Sequence, residues 1–368
     1  MTSSVFNIAN HTTIIFINTS RQQTNAIEVA TADEDVHQYI DDVTTLYVLR
    51  ILMLGVTPAI SLFGITGNVF SIVILYKHGL RKCSNILLIS LAVSDFTFLI
   101  GFNSVPKFLY EVVNEVDGFR FSLEASYVLY YSYHVFHTMD YASGGISLTL
   151  PMFITVERLV AVFLPLKFHQ IVTPTRTWWV VVLVSAFWYV YFIHTSLFVG
   201  FSYEHNVEFN RSIGVLTRSA YHYSNIQTVG ILEETMSYLM MKIPPVFTML
   251  GCVVIGVKVK MASSKRQKMT SKGGKSESSN RTTKMLLAVC AVYTVACGIL
   301  SLPTFVPQYI HYTMTSDAPS NLGRVMYQVI NIVVCINSSY NFVIYVAMNK
   351  TFRDTYRALF VKCFNGKS

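Results

Sequence analysis

Long apolar runs, parted by short polar ones, set the pattern of this chain. No Asp, Glu, Lys or Arg lies between Arg50 and Lys77, Arg176 and Glu204, Lys284 and Asp317, or Arg324 and Lys350. Three more gaps hold one charge each: Asp95 between Lys82 and Lys107, Asp140 between Glu124 and Glu157, and Lys242 between Glu234 and Lys258. Each gap is long enough for the roughly 20 residues that cross a bilayer as a helix. The pattern predicts seven spans, at about 51–76, 84–110, 127–163, 177–200, 235–257, 285–311 and 325–348. The fold class expected is an all-α membrane protein. Residues 1–48 form an extracellular tail, 49–348 one bundle, and 349–368 a cytoplasmic amphipathic helix and tail.

Span three organises the rest. Asp140, Ser147 and Arg158 are 7 and 11 residues apart, offsets that return to nearly one face at about 100° per residue. Asp140 and Arg158 then lie roughly 27 Å apart, near the thickness of a bilayer core. Such a face has no use against lipid and must look onto other helices or water. Asp95 sits in the middle of span two, where a carboxylate costs about 2.5–3.5 kcal/mol on insertion scales, with Asn68 a natural neighbour. In span seven, Asn337, Ser338 and Asn341 share a face. Five oxygen-bearing side chains around one negative charge (Asp95, Ser147, Asn337, Ser338 and Asn341) can supply the hard ligands that a small cation prefers. Kinks are expected at Pro244-Pro245 and at Pro303. Lys242 is expected to snorkel outward, and Trp178 and Trp179 to anchor at the interface.

Composition narrows the class. The chain is 52% hydrophobic and 13% charged, against about 25% charged in soluble domains. Of its 28 Lys and Arg, 20 fall on the side taken as cytoplasmic, which places the amino terminus outside. The net charge of +8 is therefore a vector across the membrane, and a nucleic-acid partner would explain it poorly. The basic loop 258–284 and the segment Lys350–Phe360 face anionic lipid. Cys363 is a candidate palmitoyl anchor. Asn10, Asn18 and Asn210 fit the glycosylation pattern on the outer side. No cysteine lies between Cys83 and Cys252, so none is placed to staple the outer loops.

Several motifs, in order and on the right sides, resemble a rhodopsin-like (class A) G-protein-coupled receptor. They are Gly67-Asn68, Leu91-Ala92-Val93-Ser94-Asp95, Glu157-Arg158-Leu159 followed by Pro165-Leu166, Pro303, Asn341-Phe342-Val343-Ile344-Tyr345, and Phe352-Arg353. Departures mark a divergent invertebrate-type member, similar to peptide or chemosensory receptors. Phe342 replaces the span-seven proline, Leu159 a tyrosine, and Ser301 a tryptophan, and the cysteines of the outer bridge are missing.

The resemblance implies a plasma-membrane receptor that passes an extracellular peptide or small-molecule signal to a heterotrimeric G protein. It gives Asp140 the position from which amine receptors hold an ammonium, with Tyr133, His137, Phe305 and Gln308 around it. Glu157, Arg158, Pro165, Leu166 and Tyr345 become the coupling residues. Asp95, Ser147, Asn337, Ser338 and Asn341 become an allosteric sodium site; no other cofactor is implied. With Thr283 where some relatives carry an acid, Arg158 lacks a second restraint, and raised basal signalling is expected. The alternative is a seven-span channel or transporter, but neither internal repeats nor matched broken helices are present. Span seven has no lysine for a Schiff base, and nothing in the chain points to an enzyme.

Overall fold

The computed structural model describes residues 40–111, 118–206, 210–269, 277–300 and 321–361. Among these, six helices are long and apolar enough to cross a membrane by length and composition, and Leu287–Leu300 is the apolar part of span six. The chain is therefore a multi-pass membrane protein with the expected bundle. A hairpin closes one end of it, and the Lys- and Arg-rich turns lie at the other, the basic end.

Local chemistry explains where the helices begin, widen and break. Span one starts at Asp42 because Asp41 accepts a hydrogen bond from the Thr44 N–H at 2.9 Å, capping the first turn. Bonding to Thr44 also holds the Asp41 carboxyl below the usual carboxylate range. The helix widens into a π turn at Leu52–Val56 and resumes at Thr57–Lys77. Pro58 lacks the N–H that the carbonyl of Leu54 would take in a regular helix. Span five does the same: a π turn at Ser237–Lys242 precedes Pro244 and Pro245, between helices Ile226–Met236 and Ile243–Met269. Lys242 lays its ammonium 3.8 Å from the centre of the Tyr238 ring.

Span two is interrupted. Its helix runs Cys83–Phe102, breaks at Asn103 and Ser104, and continues as Val105–Glu111. The Asn103 amide turns back to the Leu99 carbonyl at 2.8 Å, and Pro106 has no N–H to carry the helix across. Gly101 lets this break press against span three, since a Cβ there would meet the Asp140 nitrogen at 2.8 Å and the Phe136 oxygen at 2.9 Å.

Span three is unbroken from Leu123 to Phe163 despite Pro151. Span four, Pro174–Ser196, stops short of the expected end because Val199–Asn206 leaves as a strand. This strand pairs antiparallel with Arg211–Arg218, from Val199 opposite Arg218 to Asn206 opposite Arg211. The bundle is helical as expected, and this hairpin of β-branched and aromatic residues is a small addition between spans four and five. Asn210 sits in the turn with φ 47°, a left-handed conformation that asparagine tolerates.

Backbone pairing and aromatic packing hold the hairpin to the bundle. Phe119 and Gly214 exchange two backbone hydrogen bonds, at 2.9 and 3.0 Å. The Leu216 N–H donates to the Tyr110 hydroxyl at 3.3 Å, and the Tyr203 hydroxyl to the Phe121 carbonyl at 3.0 Å. Tyr110, Phe119, Tyr133, Val199 and Leu216 pack together beneath it. Cys83, Cys252, Cys290, Cys297 and Cys335 are free thiols.

At the basic end, span seven, Asn321–Met348, is one helix, followed by Lys350–Tyr356 and a π turn to Val361. Phe342 settles against span one where Gly67 makes room; a Cβ on Gly67 would lie 2.9 Å from the Cβ of Phe342. Its ring meets Phe70, Phe352 and Tyr356 at 5.6–6.1 Å. The residue that replaces proline thus ties the last helix to spans one and seven.

Candidate functional site

Toward the hairpin end, Asp140 is buried, and its partner is Lys107. The Lys107 ammonium lies 3.2 Å from Asp140 Oδ2, with side-chain exposures of 12% and 2%. Sequence reasoning missed this partner and named Tyr133 and His137 as polar neighbours of Asp140 instead. The break at Asn103 and Ser104 brings Lys107 over span three, and its ammonium also lies 4.2 Å from the centre of the Phe102 ring. The available signal was a lysine directly after Pro106, at the end of an apolar run. Tyr133 and His137 do gather on this side, with rings stacked at 5.9 Å, and Tyr141 stands 4.5 Å beyond His137. Phe305 and Gln308 lie outside the described residues.

A second polar layer surrounds Asp95, which is fully buried. The Ser147 hydroxyl donates to Oδ1 at 2.5 Å and the Asn341 amide to Oδ2 at 2.8 Å. Ser338, about one turn from Asn341, is buried as well. Asn68 joins the layer indirectly, donating to the Ser338 carbonyl at 2.9 Å. The sodium ion implied by the resemblance would find oxygen ligands in this layer. Carboxylate and hydroxyl oxygens of Asp95, Ser147 and Ser338 suit a small hard cation, and the buried Asn68 Oδ1 has no hydrogen-bond partner among the described residues. Asn341 presents its N–H, so in this arrangement it donates to the carboxylate. Asn337 is buried on the same helix.

The third layer is at the basic end. Arg158 Nε lies 2.9 Å from Glu157 Oε2. Its guanidinium also donates to the Ser84 hydroxyl, which in turn donates to Glu157 Oε1 at 2.8 Å. Ser84, on span two, is a restraint that the sequence reading did not name; Thr283, which was expected to leave Arg158 without a second restraint, has no described side chain. Span six is tied to span three by the Tyr293 hydroxyl, which donates to the Leu148 carbonyl at 2.6 Å. The Cys290 thiol lies 3.6 Å from Thr155 Oγ1. Tyr345 is buried, and its hydroxyl has no hydrogen-bond partner among the described residues. Beyond span three, Pro165 and Leu166 are exposed, Leu166 at 95%.

The remaining sites fall elsewhere. Asn210 is exposed in the hairpin turn, while Asn10, Asn18, Cys363, Ser301 and Pro303 lie outside the described residues.

Three polar layers along one helix, in a bundle of membrane-length spans, agree with the comparisons to known proteins. Over 114 residues the chain is 29% identical to dopamine receptor 3 of Caenorhabditis briggsae, covering 31% of this chain and 17% of the relative. It is 28% identical over 114 residues to dopamine receptor 3 of Caenorhabditis elegans. Over 141 residues it is 32% identical to the FMRFamide peptide receptor frpr-18 of Caenorhabditis elegans, covering 38% of this chain and 32% of the relative. The matches thus span about a third or less of these relatives' length. The sequence profile of the serpentine-type 7TM GPCR chemoreceptor family Srw matches residues 55–363. That match runs from within span one to beyond span seven and takes in all three polar layers, and the chain belongs to the Srw chemoreceptor family of G-protein-coupled receptors.

Proposed function

We propose that the chain is a rhodopsin-like receptor that carries an extracellular chemical signal to a heterotrimeric G protein at the plasma membrane, with the amino terminus and the hairpin outside. The observation that carries this reading is the single face of span three, with Asp140, Ser147 bonded to Asp95, and Arg158 held by Glu157 and Ser84. A ligand entering beneath the hairpin meets Asp140, Tyr133 and His137, and Phe305 and Gln308 are the span-six residues that the resemblance assigns to its binding. Its binding draws span six outward about Pro303, away from the Tyr293 tie. Arg158 then leaves Glu157 and Ser84 for the G protein, with Pro165, Leu166 and Tyr345 framing the contact.

The ligand is a peptide or a small chemosensory molecule. The chemoreceptor family, and the similarity to receptors named for dopamine and for an FMRFamide peptide, support both options. Asn10, Asn18 and Asn210 carry glycans on the outer side. The segment after Asn349 lies on the inner leaflet with Cys363 as its lipid anchor. The reading is tested by guanine-nucleotide exchange on purified G proteins in membranes bearing the receptor, against a library of peptides and small metabolites. Arg158→Ala should abolish exchange at unchanged surface expression. Ligand-gated current or substrate flux without exchange on any G-protein class would favour a channel or transporter instead.

A further inference from the structure

We propose that Lys242 anchors the carboxylate of a single-chain fatty acid that enters from the bilayer, its chain lying along the lipid-facing stripe of span five. The site is separate from the one around Asp140, so neither reading depends on the other.

Depth carries the first half of the argument. Spans three and five run side by side in the same sense, and two close approaches fix their register. A Cβ on Gly144 would lie 3.9 Å from the Met240 methyl, and a Cβ on Gly251 would run into the Thr155 methyl. Both pairs are offset by 96 residues. By that offset Lys242 is level with Ile146, beside the Ser147 that donates to Asp95. Lys242 therefore stands at the depth of the mid-membrane layer.

Its surroundings carry the second half. Val246, Met249 and Val253, which follow at 4, 7 and 11 residues, share its face of the helix. With Tyr238 they are each at least 43% exposed, so this face looks onto hydrocarbon. A charged side chain at such a depth is costly and normally faces the interior of a bundle. None of the ion pairs among the described residues takes Lys242. The expected snorkelling carries its ammonium only to the Tyr238 ring, at 3.8 Å, one turn short of Glu234. A cation–π contact offsets part of the cost, but the charge still has no anion.

A carboxylate supplies one, and opposite charges attract most strongly where the dielectric is low. Phospholipid phosphates are held at headgroup level, well above Lys242. A fatty acid reaches this depth, because its small headgroup enters hydrocarbon as the uncharged acid. Its chain can then lie against Val246, Met249 and Val253. The turn that carries Lys242 is the π turn Ser237–Lys242, and Pro244 and Pro245 return no N–H to it. Such turns recur at functional sites.

The test uses the purified full chain in phosphatidylcholine nanodiscs and a photoactivatable probe, octadecanoic acid with a diazirine at mid-chain. Labelled peptides are mapped by mass spectrometry. Residues 238–253 are expected to take the label, and oleate to compete at about tenfold lower concentration than oleyl alcohol or oleylamine. Lys242→Met, which removes the charge and keeps an unbranched side chain, should cut that labelling about tenfold. Lys242→Arg should keep it. Should a variant fail to fold, the order of competitors on the wild-type protein decides the matter.

The proposal is overturned if oleyl alcohol competes as well as oleate, or if Lys242→Met labels as strongly as wild type. Phosphatidylglycerol added to the discs should leave the labelling unchanged; competition equal to that of oleate would assign Lys242 to a lipid headgroup. A chain that runs as a dimer in native mass spectrometry and takes no label would assign this face to a second copy. Either result sinks the fatty-acid reading.

Discussion

Ser84 and Asp95 show how much one side chain decides. The Ser84 hydroxyl joins span two to both Glu157 and Arg158, so the arginine has a resting restraint that its own span does not supply. Removing a hydrogen bond of about 0.5–1.5 kcal/mol should raise basal exchange about two- to tenfold. Ser84→Ala is therefore expected to be more active without ligand than wild type, and equal basal exchange at equal surface expression would refute this. Asp95 accepts hydrogen bonds from Ser147 and Asn341, and we propose that sodium competes for the same carboxylate. A cation that fills this layer favours the closed bundle, so sodium should weaken agonist binding by linkage. Asp95→Asn should abolish that sensitivity. Agonist affinity that stays the same when sodium is replaced by a large organic cation would sink the idea.

Among the elements, the broken span two and the hairpin shape the surroundings of Asp140. Gly101 is a point of close approach between spans two and three, and a methyl there meets Asp140 and Phe136 backbone atoms, which cannot turn away as a side chain can. Gly101→Ala should cost about 1–3 kcal/mol through overpacking and pull Lys107 off Asp140. A melting temperature equal to wild type would show that the helices part without cost. The hairpin is held by the Phe119–Gly214 pairing and the Tyr110 cluster, while the cysteines among the described residues are free. Thiol reductant should therefore leave ligand binding unchanged. Tyr110→Ala, which removes a fully buried ring, should weaken binding and lower stability by about 3–5 kcal/mol. Loss of binding in reductant would point to a covalent tie.

For the whole molecule, the last helix reports on the basic end. His78 Nε2 lies 2.9 Å from Thr355 Oγ1, and the Thr355 hydroxyl donates onward to the Thr351 carbonyl. His78 therefore donates to Thr355. Burial first, then Lys82 and Lys77, push its pKa below the ordinary value. The folded state thus binds fewer protons than the unfolded one. The stabilising contribution of neutral His78 is fully present above the unfolded value of about 6.5 and is lost as the pH falls toward the folded one. The attachment of the last helix to the first basic turn should loosen as the pH falls below about 6.5, read by spin-label distances between the two. His78→Gln should remove that pH dependence, and a loosening that persists in the variant would assign it elsewhere.

Hydropathy alone determined the order of the membrane-length helices found among the described residues, because an unpaired charge in lipid is costly enough to leave long gaps in the sequence. The polar face of span three and the mid-membrane layer around Asp95 were also legible, since helical periodicity puts Asp140, Ser147 and Arg158 on one side whatever the partners. Span ends were less so: Pro58 and Pro244 widen helices that hydropathy treats as uniform, and span four yields its last residues to a strand. Contacts between distant segments were decided by the tertiary structure. Ser84 reaches Arg158, Phe342 fills the space left by Gly67, and Tyr110 meets Leu216 only once the helices are packed. Lys107 is the clearest case. In the sequence it marks the end of an apolar run; in the fold the break at Asn103 and Ser104 carries it onto Asp140. Charges far apart in a chain pair according to where the backbone bends, and a bend set by one asparagine, one proline and one close glycine leaves no periodic trace.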